Sequence, residues 1–203
     1  FQKRPEVAEV DCGRLFDGDK EYVKKVASKR PTLVPNKQLN LSCDAIRSRI
    51  LPPRNENTGF PIAFAKVVYK DYEFLEEQLA ITYSAENWYC FAADNKSTTF
   101  FRRHIIALAA CLPNVLLSES EYDVDSAGHF MNHAHLDCLR QLASKPWRYV
   151  ILMQNHDVII KTNAQLVRVL QWMNGSNDWN MMPCPGRCPA SMERNLGKLG
   201  ICP

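Results

Sequence analysis

Two aspartates stand where apolar runs end, in positions from which a carboxylate can reach a ligand. Asp94 closes the apolar stretch that begins at Asn87, and Asp157 follows the stretch over residues 148–155. In open α/β sheets, ligands bind beyond the carboxyl ends of the strands. A carboxylate there can accept hydrogen bonds from the hydroxyls or the base of a nucleoside. The alternative interpretation of Asp94 is a helix N-cap, because the polar segment that it opens precedes a predicted helix.

The role of Asp157 is equally open. The segment over residues 154–163 places this aspartate close to Lys161, Thr162 and Asn163. In one interpretation, Asp157 is a second carboxylate that faces the cleft. In the other, Thr162 or Asn163 caps the next helix and Lys161 lies on the surface.

Two further groups have the residue types of metal sites. Asp123 and Asp125 form a DxD, and clustered carboxylates of this kind suit a divalent cation on a nucleotide-sugar diphosphate. His129 and His133 share one helical face while His135 lies on another, but zinc needs three or four ligands in one shell. We therefore expect packed or solvated histidines and no bound metal, and keep a DxD-dependent transferase as a rival hypothesis.

Hydrophobic periodicity predicts four strands that alternate with four helices from residue 62 onwards. The strands are nearly continuous apolar runs, which is typical of a sheet covered by helices on both faces. This order predicts an α/β fold with a mostly parallel sheet. The residues predicted to face inward from the four helices are Leu75 and Leu79; Phe101, Ile105, Leu108 and Leu112; Leu136, Leu139 and Ala143; and Leu166, Val169, Leu170 and Met173.

The pattern divides the chain into three parts. Residues 1–60 are charged and weakly periodic, as in a stem or N-terminal extension; residues 61–178 carry the alternating pattern; residues 179–203 contain Pro and Cys and predict no regular element. No apolar stretch of about 20 residues is present to span a membrane. Because the chain begins at Phe1, we expect a piece of a longer protein.

Composition argues against several classes of protein. With 203 residues, of which 46% are apolar and 23% charged, the chain fits one soluble globular domain. The net charge of +3 and the lack of a long Lys/Arg run give no ground for a nucleic-acid partner. The turn after the first predicted strand, YKDYE, has no glycine, which disfavours NAD, FAD and P-loop nucleotides.

Eight cysteines and three N-glycosylation sequons together indicate the secretory pathway. The cysteines are widely spaced and include no CxxC pair, which favours disulfides over a zinc ribbon. The sequons begin at Asn40, Asn95 and Asn174.

Several segments resemble the core-2/I-branching β-1,6-N-acetylglucosaminyltransferases, and the nematode-type members in particular. The resemblance runs from about Cys12 to Asp178 and is carried by FPIAFAKVVYKDYEFLEEQLAITYSAENWYCFAADNKS, LPNVLLSE, AHLDCLRQL, WRYVILMQNHDVIIKTNAQLVRVL and NGSND. It implies a GT-A-like, Rossmann-like fold of which this chain holds the nucleotide-binding half, without the C-terminal side.

The same resemblance implies an activity and a location. Members transfer N-acetylglucosamine from UDP-GlcNAc to a 6-hydroxyl of an O-glycan or related acceptor, with inversion and without a metal cofactor. They are type II membrane proteins of the Golgi lumen, anchored by a segment that this chain does not include. The family's catalytic glutamate and diphosphate-binding Arg and Lys fall beyond Asp178, so we assign no catalytic residue. The alternative is an inactive homologue that binds only a UDP-sugar or a partner protein.

The resemblance also implies roles for individual residues, which are assigned by matching positions. It implies that Val67, Val68 and Tyr69 line the UDP site and that Asp94 binds the uridine. Ser126 stands where the family has a tyrosine near the donor. The implied disulfides are Cys43–Cys111 and Cys90–Cys138; Cys12 would pair further downstream, and Cys184, Cys188 and Cys202 are unassigned.

Overall fold

A computed structural model describes residues 3–51 and 57–178. The chain divides into a unit over Phe1–Val169 and a second over Leu170–Pro203, of which only residues 170–178 are described. The elements are a 3₁₀ helix at Pro5–Val7, α1 (Cys12–Phe16), α2 (Lys20–Ser28), α3 (Cys43–Ile50), β1 (Ile62–Val68), α4 (Tyr72–Thr82), β2 (Trp88–Ala93), α5 (Thr99–Cys111), β3 (Val115–Leu117), α6 (Met131–Leu142), β4 (Tyr149–Met153) and α7 (Asn163–Met173). In the described residues, no helix has the length and apolarity needed to cross a bilayer.

The four strands form one parallel sheet in the order β3-β2-β1-β4. The central strand β1 is buried along its whole length, which explains why its sequence is apolar at every position except Lys66. Val68 of β1 stands opposite Ala93 of β2, so the two strands end side by side. The α/β fold predicted from the periodicity, with its parallel sheet and surrounding helices, is confirmed.

The sheet packs α6 against one face through small side chains. One buried cluster joins the two elements. It contains Ala63, Ala65 and Val67 of β1 and Ala134 and Cys138 of α6. Small residues on both sides let the helix approach the strands closely, and a bigger side chain at any of these positions would push the helix away. On the other face, the rings of Phe64 and Tyr89 stack with centroids 5.2 Å apart.

The predicted inward face of α6 is wrong. Leu136 is 45% exposed and Ala143 is exposed. Cys138 faces the sheet instead, because it forms the disulfide with Cys90 of β2. His135 also faces inward, where its Nε2 donates a hydrogen bond to the Met153 carbonyl at 3.1 Å. A covalent tie and a buried polar contact thus rotate the helix away from the orientation that its leucines predict.

Part of the predicted N-terminal extension belongs to the packed unit. Ile46 and Ile50 of α3 are fully buried, and Arg49 pairs with Glu76 of α4. The disulfide Cys43–Cys111 joins α3 to α5. Both disulfides implied by the family resemblance are therefore present. Among the described cysteines, Cys12 is free and exposed.

A lysine is buried in the middle of the sheet. Lys66 of β1 is only 3% exposed, and its Nζ donates to Gln78 Oε1 and to the Asp157 carbonyl, the latter at 3.1 Å. Burial lowers the pKa of Lys66 to about 8, and the nearby Asp157 charge opposes this shift only in part. A charged ammonium in this position costs stability, because an apolar interior solvates it poorly.

The protein should therefore become more stable as pH rises from about 8 to 10.5, the ordinary pKa of lysine. In that window the unfolded chain binds more protons than the folded chain, and the difference is worth up to about 3 kcal/mol. The double variant Lys66→Met/Gln78→Leu removes both buried polar groups and should lack this rise. Urea unfolding of both proteins across the window tests the prediction, and parallel pH profiles would contradict it.

Candidate functional site

The ends of β1 and β2 bring three of the predicted site residues together. The backbone N–H of Asp94 donates to the Val68 carbonyl at 2.9 Å, and Val67 stands opposite Ala92 in the ladder. Asp94 is 4% exposed, and its Oδ1 accepts the Lys96 backbone N–H at 2.8 Å. Each carboxylate oxygen has two lone pairs, so the group keeps capacity for a ligand donor.

Asp94 is not a helix cap. Helix α5 begins after Thr98, whose hydroxyl accepts the Phe101 N–H at 3.2 Å. The capping interpretation of Asp94 is therefore wrong: Asp94 lies four positions before the cap, and its carboxylate shapes the turn at the strand end. A buried carboxylate needs hydrogen bonds or a charged partner, since burying it alone costs free energy.

Three oxygens of other residues surround the ammonium group of Lys96. Its Nζ lies 3.2 Å from Asp94 Oδ2 and 2.7 Å from the Val124 carbonyl, and it also bonds Asp123 Oδ1. The hydrogen bond to Asp123 and the charge of Asp94 raise the pKa of Lys96, which stays protonated. The lysine therefore joins the turn after β2 to the loop between β3 and α6.

Backbone contacts reinforce this junction. Asp94 and Tyr122 form a parallel β-bridge, and the Asn95 N–H donates to the Tyr122 carbonyl at 3.0 Å. Arg102 of α5 pairs with Glu121 at 2.7 Å and donates to the Asn95 carbonyl at 2.7 Å. Ser126 is exposed in the loop that these contacts fix.

The two DxD carboxylates are both engaged by protein groups. Asp123 pairs with Lys96, and Asp125 accepts His129 Nδ1 at 2.6 Å and the Ala127 N–H at 2.9 Å. The bond to His129 lowers the pKa of Asp125, and the same bond raises the pKa of His129. Over residues 3–51 and 57–178, no three His, Cys, Asp or Glu side chains converge as a metal site would require.

Of the other two histidines of the predicted cluster, His133 is exposed and His135 is buried. The ring of His133 lies against Tyr122 and Phe130, with centroids 6.0 and 5.8 Å away. His135 points into the core on a different side of α6. The expectation of packed or solvated histidines agrees with these positions.

The tip of β4 lies on the opposite side of β1 from Asp94. There the buried Asn155 accepts the Tyr69 and Lys70 N–H groups through Oδ1, at 2.8 and 3.3 Å. The strand order reverses at β1, and the crevice at such a point is the usual ligand site of an open α/β sheet. Here Asn155 joins the tip of β4 to the residues that follow β1.

Asp157 is exposed but turned into its own loop. Its Oδ2 accepts the Gln154 N–H at 2.7 Å. The Thr162 hydroxyl accepts the Gln165 N–H at 3.3 Å while Gln165 Oε1 accepts the Thr162 N–H at 3.2 Å, which is a capping box. Thr162 is thus the cap of α7, and Lys161 lies on the surface. A ligand role for Asp157 stays a prediction.

The three sequon asparagines are all exposed. Asn95 directly follows Asp94, so a glycan there would stand beside the candidate site. Their modification stays a prediction.

A cavity of ≈ 150 Å³ opens elsewhere, between the N-terminal segment and helices α4 and α5. Its walls include Val34, Pro35, Tyr72, Phe101 and His104. Neither Asp94 nor the 121–126 loop borders it, so it is separate from the candidate site.

Sequence reasoning missed two residues that organise the site. Lys96 carries a weak signal, since it follows Asp94 by two residues. Asn155 carries none, because its partners at Tyr69 and Lys70 are more than 80 residues away in sequence.

Residues 62–186 match the family model described as Core-2/I-Branching enzyme. The chain belongs to the core-2/I-branching enzyme family. The matched range includes β1 to β4, the Asp94 turn and the Lys96 junction.

Curated relatives agree with the family assignment. A beta-1,3-galactosyl-O-glycosyl-glycoprotein beta-1,6-N-acetylglucosaminyltransferase of Bovine herpesvirus 4 is 31% identical over 97% of this chain and 47% of its own length. A human enzyme of that name is 29% identical over 84% of this chain and 44% of its own. A second human enzyme, which has the same name with the suffix 3, is 31% identical over 87% of this chain and 44% of its own length. The chain thus spans about half the length of the relatives that it matches.

Proposed function

We propose that this chain is the nucleotide-sugar-binding part of a branching β-1,6-N-acetylglucosaminyltransferase. Its donor is UDP-GlcNAc, and its acceptor is a 6-hydroxyl of an O-glycan or related glycan. The observation that carries this proposal is the buried Asp94 carboxylate at the end of β2, beside Val68 and held by Lys96. Val67, Val68, Tyr69 and Ser126 complete the donor site.

The reaction sets what the protein must supply. The acceptor oxygen attacks the anomeric carbon from the face opposite UDP, the bond to the diphosphate breaks, and UDP leaves with the electron pair. A general base takes the acceptor proton, and positive charge stabilises the departing diphosphate. We assign to the described residues a separate task, which is to bind and orient the uridine end of the donor.

We also propose that donor binding needs no metal and that the enzyme works in the Golgi lumen. The engagement of Asp123 by Lys96 and of Asp125 by His129 supports a metal-free site, because a cation would have to displace those partners. Two disulfides and three sequons support an oxidising luminal compartment.

Calorimetric titration of the secreted, disulfide-bonded chain with UDP-GlcNAc tests the proposal. We expect saturable binding that is unchanged by EDTA and retained with UDP. Binding should weaken with CDP, because uracil N3–H can donate to a carboxylate, which only accepts, whereas cytosine N3 is itself an acceptor. Binding lost in EDTA and restored by Mn²⁺ would instead support the DxD-dependent enzyme. A folded chain that binds neither UDP-GlcNAc nor UDP would support the alternative, an inactive homologue that serves a protein partner.

A further inference from the structure

We infer that Lys96 is a positioning residue whose ammonium group acts as an internal cation between the two loops of the donor site. It holds the Asp94 carboxylate and the 121–126 loop in one arrangement. A divalent ion could take over this task if the lysine were removed. The part of the inference that concerns UDP rests on the proposed function, whereas the part that concerns metal binding does not.

The oxygen environment of Lys96 carries the inference. Three oxygens from two separate segments converge on one nitrogen: Asp94 Oδ2, Asp123 Oδ1 and the Val124 carbonyl. One carboxylate is buried and the other is exposed. Convergent carboxylate and carbonyl oxygens are the ligands that hard divalent cations prefer, and water completes such shells. A lysine ammonium in their midst satisfies the same oxygens without a metal.

An ordinary surface ion pair is the competing explanation. Exposed pairs contribute little, because water and salt screen them. The Lys96 contact differs, because the Asp94 side chain that it touches is only 5% exposed. Removing one partner of a buried charge leaves the other uncompensated. The loss of Lys96 should therefore disturb Asp94 more than the loss of a surface pair would.

Arg102 provides a matched control. It joins the same two segments through Glu121 and the Asn95 carbonyl, but does not contact Asp94. If Lys96 acted only by tying the loops, then Arg102→Met and Lys96→Met would have equal effects. If it acts on the Asp94 carboxylate, Lys96→Met should be the more damaging variant.

The first experiment requires no nucleotide. Mn²⁺ alone is titrated by calorimetry into the wild-type chain, Lys96→Ala, Lys96→Met and Lys96→Ala/Asp123→Asn. We expect Lys96→Ala to bind one more Mn²⁺ ion per chain than the wild type, because the truncation vacates the space between the three oxygens. Lys96→Met should not, since its side chain still fills the space, and the double variant should lose the extra ion. Equal Mn²⁺ binding by the wild type and Lys96→Ala would overturn the metal part of the inference.

The second experiment measures UDP affinity in the same proteins. In EDTA, UDP affinity should fall about tenfold or more in Lys96→Ala and Lys96→Met, but only about twofold in Arg102→Met. Saturating Mn²⁺ should restore UDP affinity in Lys96→Ala and not in Lys96→Met. Unchanged UDP affinity in all variants would overturn the positioning role, while a wild type that binds no UDP would overturn the proposed function and leave the Mn²⁺ result as a separate test.

Discussion

UDP affinity should fall by roughly ten- to a hundredfold when Asp94 is replaced by Asn, because the exchange removes a charged acceptor. Asparagine keeps the size of the side chain and can still accept the Lys96 N–H that shapes the turn. Folding should therefore be retained. Calorimetry with UDP in EDTA measures the affinity, and thermal unfolding of the same samples measures stability.

Asp125→Asn is the matched control for this prediction. Asp125 is an exposed aspartate in the neighbouring loop, and its Oδ1 also accepts a backbone N–H two residues on, from Ala127. It pairs with His129 rather than with the candidate site. UDP affinity should change less than about twofold. Equal losses in both variants would contradict a specific role for Asp94, and an unfolded Asp94→Asn protein would mean that the carboxylate is structural.

Removal of the Cys90–Cys138 disulfide should lower the free energy of unfolding by about 4 kcal/mol. The bridge closes 48 residues, so its loss frees a long segment of the unfolded chain. Both cysteines are fully buried, and Cys90→Ala/Cys138→Ala would also leave a cavity against Ala134. Chemical denaturation of the variant and the wild type gives the difference.

The Cys43–Cys111 bridge serves as the comparison. It closes 68 residues and joins α3 to α5, away from β2. Its removal should cost a similar amount, about 4 kcal/mol, by the same loop argument. UDP affinity should fall only in Cys90→Ala/Cys138→Ala, since Asp94 directly follows the last residue of β2. A stability loss below about 1 kcal/mol for either pair would contradict the argument from loop closure.

The strands and helices were largely predictable because each depends on residues that are close in sequence. The run over 62–68 is apolar except for Lys66, and it forms the strand that neighbours cover on both sides. The stripe of Phe101, Ile105, Leu108 and Leu112 is buried as its spacing predicts. Helix α6 was mispredicted, because its orientation depends on a bond from Cys138 to a residue 48 positions earlier.

Some features of the candidate site were likewise predictable from local sequence, and others were not. The position of Asp94 at a strand end follows from local pattern, and so does the capping of α7 by Thr162. The convergence on Lys96 does not, since its partners Asp123 and Val124 are 27 and 28 residues away. Neither does the contact of Asn155 with Tyr69, which joins the tip of β4 to the end of β1.

Periodicity and short motifs were therefore enough to establish a parallel α/β sheet, an aspartate at the end of its second strand and membership of the branching family. The folded chain alone decided which residues converge on Lys96, which groups engage the DxD carboxylates and which face of α6 is buried. The physical reason is that these features depend on distances between segments remote in sequence. These segments become neighbours only when the sheet has assembled and brings its loops to one edge.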